Sequence, residues 1–264
     1  MILPRSAFAA AILACTTAFA ADTELQSISV TATRDPVDKS YRKILKGMDV
    51  FEQRRALAPD ASLRFKLLPR QHGTNMDGIE LEILGDSFAM PVPVAPDRTF
   101  ALQRVQKAID ESASVRPNRK ADSLTWRTDI RTPGLPPNTR RLGDLRLECH
   151  VGMEADLVSN TPPVIGLISK AIDRLTGYCD KADPHYYFFS ERPLFSVTMA
   201  AGARREILPV GELYAGASLD PLSAFDLAHC DCQVLLDRTY YLPLGDKSWP
   251  DDTLIEIEYM DDAK

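Results

Sequence analysis

Apolar residues recur at every second position through much of this chain, and that period decides most of what it can become. Leu63, Phe65 and Leu67 alternate with Arg64 and Lys66, and Ile79, Leu81 and Ile83 alternate with Glu80 and Glu82. Successive strand side chains point to opposite faces, so each run makes a ribbon with one apolar and one wet side, a half-buried β-strand. Phe88, Met90, Val92 and Val94 continue the alternation, but Pro91 and Pro93 remove ladder donors and assign this run to a sheet edge. The same reading predicts strands over residues 98–102, 123–130, 144–153, 195–200, 205–210, 233–244 and 253–260. Leu124, Trp126 and Thr128 share one face of their strand. In 144–153, Leu145, Leu147, Cys149 and Val151 share a face, so Cys149 is expected to point inward. Short strands at this spacing predict a mainly β, α+β fold with β-sandwich-like domains.

Two segments carry the helical period instead. Asp35 reads as an N-cap and Pro36 as the first helical residue, after which Tyr41, Ile44, Leu45, Met48 and Phe51 form an apolar stripe. Lys39, Arg42, Lys43, Lys46, Arg54 and Arg55 fill the other faces. The helix is expected to end by Ala58, because Pro59 disfavours helical geometry in the residue before it. A second helix is expected from Thr161 and Pro162 to a stop at Gly177, with Ile165, Ile168, Ile172 and Leu175 as its stripe. These helices divide the chain. The expected order is a signal peptide (1–20), an extended arm and amphipathic helix (21–59), a β-sandwich-like domain (60–160), a connecting helix (161–178) and a second β-rich domain (179–264). A chain of 264 residues that is 45% hydrophobic has material for one large or two small cores.

The first twenty residues place Arg5 before an apolar run and end in Ala18, Phe19 and Ala20, the layout of a secretory signal cleaved before Ala21. An alternative processing site lies inside it. Ile12, Leu13, Ala14 and Cys15 resemble the lipobox of bacterial lipoproteins, which implies a lipid anchor on Cys15. No later stretch is long and apolar enough to span a bilayer. Export also changes how the remaining cysteines read. Cys149, Cys179, Cys230 and Cys232 are an even set, which favours disulfides in an oxidising compartment. A Cys149–Cys179 bridge would leave Cys230 with Cys232. Two alternatives use the same residues: His150, His229, Cys230 and Cys232 supply ligand types that suit zinc, although no zinc-finger spacing occurs, and the C-x-C pair could be redox-active.

Charge and motifs exclude several classes. With 31 basic and 37 acidic residues the chain carries a formal charge of −6, which gives no reason to expect nucleic acid. It contains no nucleophile elbow, phosphate-cradling glycine loop, H-E-x-x-H or dinucleotide fingerprint, so no cofactor is expected and no catalytic residue stands out. A general base would come from His72, His150, His185, His229 or a carboxylate. The segment from Arg98 to Arg146 holds 11 basic against five acidic residues, which could hold an anionic envelope component. Tyr186, Tyr187, Phe188 and Phe189, with Tyr240 and Tyr241, divide between core and surface if they lie on strands.

Behind the signal lies Ile28, Ser29, Val30, Thr31, Ala32, Thr33 and Arg34. This strip resembles the TonB box of TonB-dependent outer-membrane transporters, a short extended segment near the mature N-terminus. The resemblance implies a Gram-negative envelope and strand addition to a partner's sheet edge through main-chain hydrogen bonds. It does not imply transport, because a barrel of about 22 strands with a plug cannot fit in this chain. The sequence therefore leads to an exported accessory protein of the periplasm or outer-membrane periphery that acts by binding a protein or envelope component. The alternatives are a small periplasmic metalloprotein or enzyme using the Cys/His cluster, and a purely structural envelope protein.

Overall fold

The computed structural model describes residues 38–120, 123–157, 177–181, 186–214 and 235–262. The arm at 28–34, the expected cap at Asp35 and Pro36, Cys15, the helix expected from 161 up to its stop at Gly177, His185, and His229, Cys230 and Cys232 lie outside the described residues. In chain order the elements are β1 (Lys39–Ser40), α1 (Tyr41–Gln53), β2 (Ser62–Pro69), β3 (Leu81–Leu84), β4 (Ala89–Val92), β5 (Thr99–Phe100), α2 (Gln106–Asp110), β6 (Ser114–Pro117), β7 (Leu124–Arg131), β8 (Thr139–Arg141), α3 (Leu142–Glu154), β9 (Phe188–Phe189), β10 (Leu194–Ala201), β11 (Arg204–Ile207), β12 (Thr239–Tyr240) and β13 (Leu254–Tyr259). The fold is mainly β with helices packed among the sheets. Among the described residues the strands form four sheets, ordered β1-β6-β3-β4, β5-β2-β7, β11-β10-β13-β8 and β12-β9. Every strand pair among them is antiparallel. No helix among the described residues is long and apolar enough to cross a membrane.

The alternating runs become the strands expected of them. In β2 and β7, Leu63 faces Ile130, Phe65 faces Thr128 and Leu67 faces Trp126. This register gathers Phe65, Phe100 and Trp126 into one aromatic cluster, with Phe100 edge-on to Trp126 at 5.7 Å. Around it Tyr41, Ile44, Ile83 and Val115 complete a first core. The strand containing Pro91 is indeed an edge, β4. The expected strand over 233–244 is reduced, in its described part, to β12 after a single 3-10 turn at Leu236–Arg238.

The expected strand over 144–153 is a helix. In α3, Leu142, Leu145 and Cys149 pack into a second core with Tyr186, Phe188, Val197, Tyr240, Trp249 and Ile255. Leu147 and Val151 pack into a third cluster with Phe51, Ala58 and Ile130. Each set has helical spacing, and their overlay on one sequence imitates a period of two. A helix buried on two faces is thus read as a strand. Cys149 is fully buried, but Glu148 and His150 leave the helix about 200° apart rather than on one strand face.

The first helix also starts later than expected. It begins at Tyr41 behind Ser40, because Lys39 and Ser40 pair with Val115 and Ser114 as an edge strand. It then crosses α3 closely. A Cβ on Gly47 would lie 2.7 Å from the Ala155 Cβ and 2.9 Å from the Val151 carbonyl, so the crossing needs a residue without a side chain. Through α3, residues before position 160 contribute to both the first and the second half of the molecule. The strand β8, paired with β13, does the same.

Candidate functional site

The chain runs from β8 directly into α3, and this corner brings Arg140 and Glu148 together. Arg140 Nη2 donates to Glu148 Oε1 at 2.6 Å and to the Ile130 carbonyl at 2.8 Å, while the Ile130 N–H donates to Glu148 Oε1 at 2.8 Å. One turn earlier in α3, Asp144 accepts from the Thr132 N–H and hydroxyl, both at 2.8 Å. Strand β7 pairs with β2 along one edge, and on the other its outward N–H groups recur every second residue. Carboxylates four apart on α3 reach two of these donors and replace a missing neighbouring strand. The Thr128 hydroxyl fastens the same edge by donating to the Glu148 carbonyl at 3.1 Å.

The pair is deeply buried, with 10% of the Arg140 side chain and 7% of that of Glu148 exposed. Burial pushes the Glu148 carboxyl up to about 7, the nearby Asp129 charge adding to the rise and Arg140 opposing it. Two cavities flank the pair. The smaller, about 30 Å³, is lined by Lys66, Arg127, Asp129, Glu148 and Tyr186 among others; the larger, about 130 Å³, is reached from Asn138, Arg192 and Tyr259. Arg131, Arg140, Phe189, Glu191 and Tyr240 border both. Arg127 lies 4.2 Å over the Phe189 ring, Lys66 donates to Glu191, and Arg131 binds Asp129 at 2.9 Å and approaches Glu191 at 3.8 Å. Arg140 makes its hydrogen bonds through Nη2; its Nε is buried with no partner among the described residues.

Of the residues singled out in the sequence, Cys149 and Cys179 form a disulfide across 30 positions. Of the metal alternative, only His150 lies among the described residues, where no group of three or more His, Cys, Asp or Glu converges on a metal position. His150 packs beside the disulfide, with Arg54 Nη1 donating to Nε2 at 3.2 Å and Asp180 at 3.6 Å. Burial and the Arg54 charge hold its pKa down to about 4 against the pull of Asp180. The aromatic run divides by alternation: Tyr186 and Phe188 are buried, Tyr187 and Phe189 half-buried, and both Tyr240 and Tyr241 are buried. Tyr187 packs on Tyr241 at 4.8 Å.

The depressed His150 gives a pH prediction. The folded state holds the imidazole neutral while the unfolded chain protonates it near 6.5, so this residue's contribution is complete above about pH 6.5 and is lost as pH falls toward 4. Glu148 has the opposite sign: its raised value makes the folded state bind the extra proton between about 4.5 and 7, favouring the fold as pH falls. Replacing His150 with glutamine exposes the second effect. Between pH 7.5 and 5 the stability of H150Q relative to the native chain is expected to rise by about 2 kcal/mol, measured by urea unfolding at both values. A difference that does not change with pH would refute the neutral, buried histidine.

Sequence reasoning missed the Arg140–Glu148 pair because the two residues were assigned to a loop and a strand. No local signal marked it, because Glu148 alternates with Leu147 and Cys149 just as Arg146 and His150 alternate with their neighbours, which is the pattern of a wet strand face. No family model, curated protein or solved structure matches the chain.

Proposed function

We propose that this chain is an exported cell-envelope protein that acts by binding, with the cleft beside Arg140 as its ligand site and residues 28–34 as a strand-adding arm. The observation that carries the reading is a buried guanidinium, whose Nε has no partner among the described residues, in the wall of a charged and aromatic cleft. Taking charges out of water costs several kcal/mol per ion, and here the buried charges Lys66, Arg127, Asp129, Arg140 and Glu148 gather around the smaller cavity, whose wall of Arg140, Phe189 and Tyr240 is shared with the cleft. Export is supported by the secretory layout of residues 1–20 and by the Cys149–Cys179 bridge, a bond that persists in oxidising compartments. The arm is supported by its β-branched pattern and by the sheet-edge position of β1, which follows it in sequence. The periplasm or outer-membrane periphery of a Gram-negative cell is the compartment this reading implies, with lipidation at Cys15 as the alternative to cleavage before Ala21.

Fractionation of producing cells and pull-down from their envelope tests this. The processed chain is expected in the periplasmic or membrane fraction with its bridge intact by non-reducing mass spectrometry. Deletion of residues 21–35, or the substitution Arg131→Glu at the mouth of the cleft, is expected to lower partner recovery at least fivefold. An unprocessed cytoplasmic product, or recovery unchanged by both alterations, would overturn the proposal in favour of a purely structural role.

A further inference from the structure

A strand at the end of a sheet offers a row of main-chain donors and acceptors to another chain. Among the described residues, the edge strands β5 and β12 are buried and β4 carries Pro91, which has no N–H to offer, whereas all four residues of β11 are exposed. β11 closes the β11-β10-β13-β8 sheet and pairs there with β10 on one side. We propose that this edge is a self-association surface: two copies of the chain pair β11 with β11, antiparallel about a two-fold axis at Arg205, so that one sheet continues across both.

Main-chain geometry sets the register. The Leu208 N–H donates to the Val197 carbonyl at 2.9 Å, and along an antiparallel pair residues that exchange such bonds alternate with residues that do not. Glu206 and Arg204 therefore also turn their main-chain groups toward β10, while Arg205 and Ile207 turn theirs outward. A two-fold axis perpendicular to the sheet keeps each face on its own side, so it opposes only residues whose numbers are both odd or both even. Centred on Arg205, it lets the Arg205 N–H and carbonyl exchange hydrogen bonds with those of the partner's Arg205, and brings Ile207 to the partner's Ala203. It also sets Arg204 directly opposite the partner's Glu206, twice. Centred on Glu206 instead, it would oppose Glu206 to the partner's Glu206 and Arg204 to the partner's Leu208, with no opposite charges across the interface.

Charges on an edge strand ordinarily keep other strands away. Here they complement a second copy of themselves. Arg204 is held over the Trp249 ring at 3.6 Å and donates through Nε to Glu206 at 2.9 Å, so its guanidinium is already in place on the face where the partner's Glu206 arrives. Two arginines and two glutamates then alternate in sign around the axis. Arg205 meets its own equivalent, but each brings its charge balanced, because both Nη atoms of Arg205 bind Glu256 of β13. Ile207 and Val210, 70% and 64% exposed, are the most exposed large apolar residues described, and both lie at this edge. Pairing covers Ile207 with the partner's Ala203, which adds an apolar contribution. Four residues a side make a small contact, so the dimer is weak and depends on concentration.

Sedimentation equilibrium of the oxidised, processed protein at pH 7 and low ionic strength, where exposed pairs are least screened, tests the proposal. The native chain is expected to show a reversible monomer–dimer equilibrium with a dissociation constant of about 1 mM or tighter. Arg204→Glu and Glu206→Arg each oppose like charges twice across the axis and are expected to weaken the dimer about tenfold. An equimolar mixture of the two variants restores both pairs, two arginines on one strand against two glutamates on the other. It is expected to regain the native affinity within about threefold, which also shows that each variant is folded. Should Arg204→Glu not fold, Arg204→Gln takes its place in the mixture and is expected to recover part of the affinity that Glu206→Arg loses. Deletion of residues 21–35 is expected to leave the equilibrium unchanged. A native chain that stays monomeric, an Arg204→Glu variant that dimerises as the native chain does, or a mixture of folded variants without recovery would each overturn the pairing. Loss of the dimer on deletion of 21–35 would overturn it as well, by making the arm the strand that meets this edge.

Discussion

The substitution Arg140→Met is expected to destabilise the fold by about 3 to 5 kcal/mol at pH 8. It leaves the Glu148 carboxylate buried without its cation and removes the donor to the Ile130 carbonyl, both at the unpaired edge of β7. The loss has a distinctive pH dependence. Burial already raises the Glu148 carboxyl to about 7, and removal of Arg140, which opposes that rise, pushes it further. In the variant the carboxyl takes up its proton above pH 7, where that of the native chain is still ionised, so the variant regains stability relative to the native protein as pH falls from 8 through 7 and keeps that gain below, where both carboxyls are protonated in the folded state. Urea unfolding at pH 8 and pH 5 measures this, with the smaller deficit expected at pH 5. The double substitution Arg140→Met with Glu148→Leu removes both charges and is expected to recover about half of the loss, the remainder reflecting the Ile130 N–H left without its acceptor. A deficit independent of pH would show that Glu148 is not the group left exposed to the cost of burial.

The second large effect concerns the disulfide. Cys149 is fully buried in α3, and Cys179 lies in the 3-10 turn Tyr178–Asp180 that follows Gly177, whose φ of 59° lies in the left-handed region that glycine adopts without strain. The bridge closes a loop across 30 positions. Replacing both cysteines by alanine is expected to lower stability by about 3 to 4 kcal/mol in the chain-entropy model, seen as a lower urea midpoint. Because Cys149 packs with Leu142 and Leu145 in the second core, the change also loosens α3 against the β10 and β13 sheet. Hydrogen exchange of the α3 amides is therefore expected to accelerate more than that of β2 and β7. Uniform acceleration across both regions would mean that the bridge acts only through the unfolded chain.

The two expectations meet in α3, the element the sequence describes least well. Strands such as β2, with Leu63, Phe65 and Leu67 on one period, and β4, with Pro91 at an edge, were legible because one face of each meets the core and the other does not. In α3 both faces meet a core, so Leu142, Leu145 and Cys149 on one side and Leu147 and Val151 on the other merge into an apparent alternation. The short elements β1, β6 and β8 were missed for a different reason. Two to four residues carry too little periodicity to be seen, and they exist because a neighbouring strand supplies their hydrogen bonds.

Local pattern by itself determined the mainly β character of the chain, the amphipathic stripe of α1 and the alternation of Tyr186, Tyr187, Phe188 and Phe189 between buried and half-buried positions. Each depends on one period, readable within a few residues. The candidate cleft was decided only by tertiary structure. Arg131, Arg140, Glu191 and Tyr240, which border both cavities, and Lys66 and Glu148, which line the smaller one, come from six separate places in the chain, and as sequence each is an ordinary charged or aromatic residue. What makes them a site is burial next to one another, which raises the carboxyl of Glu148, aligns the guanidinium of Arg140 and leaves part of that group without a partner. Those properties arise from the loss of water around groups brought together over long separations, and no local pattern records that loss.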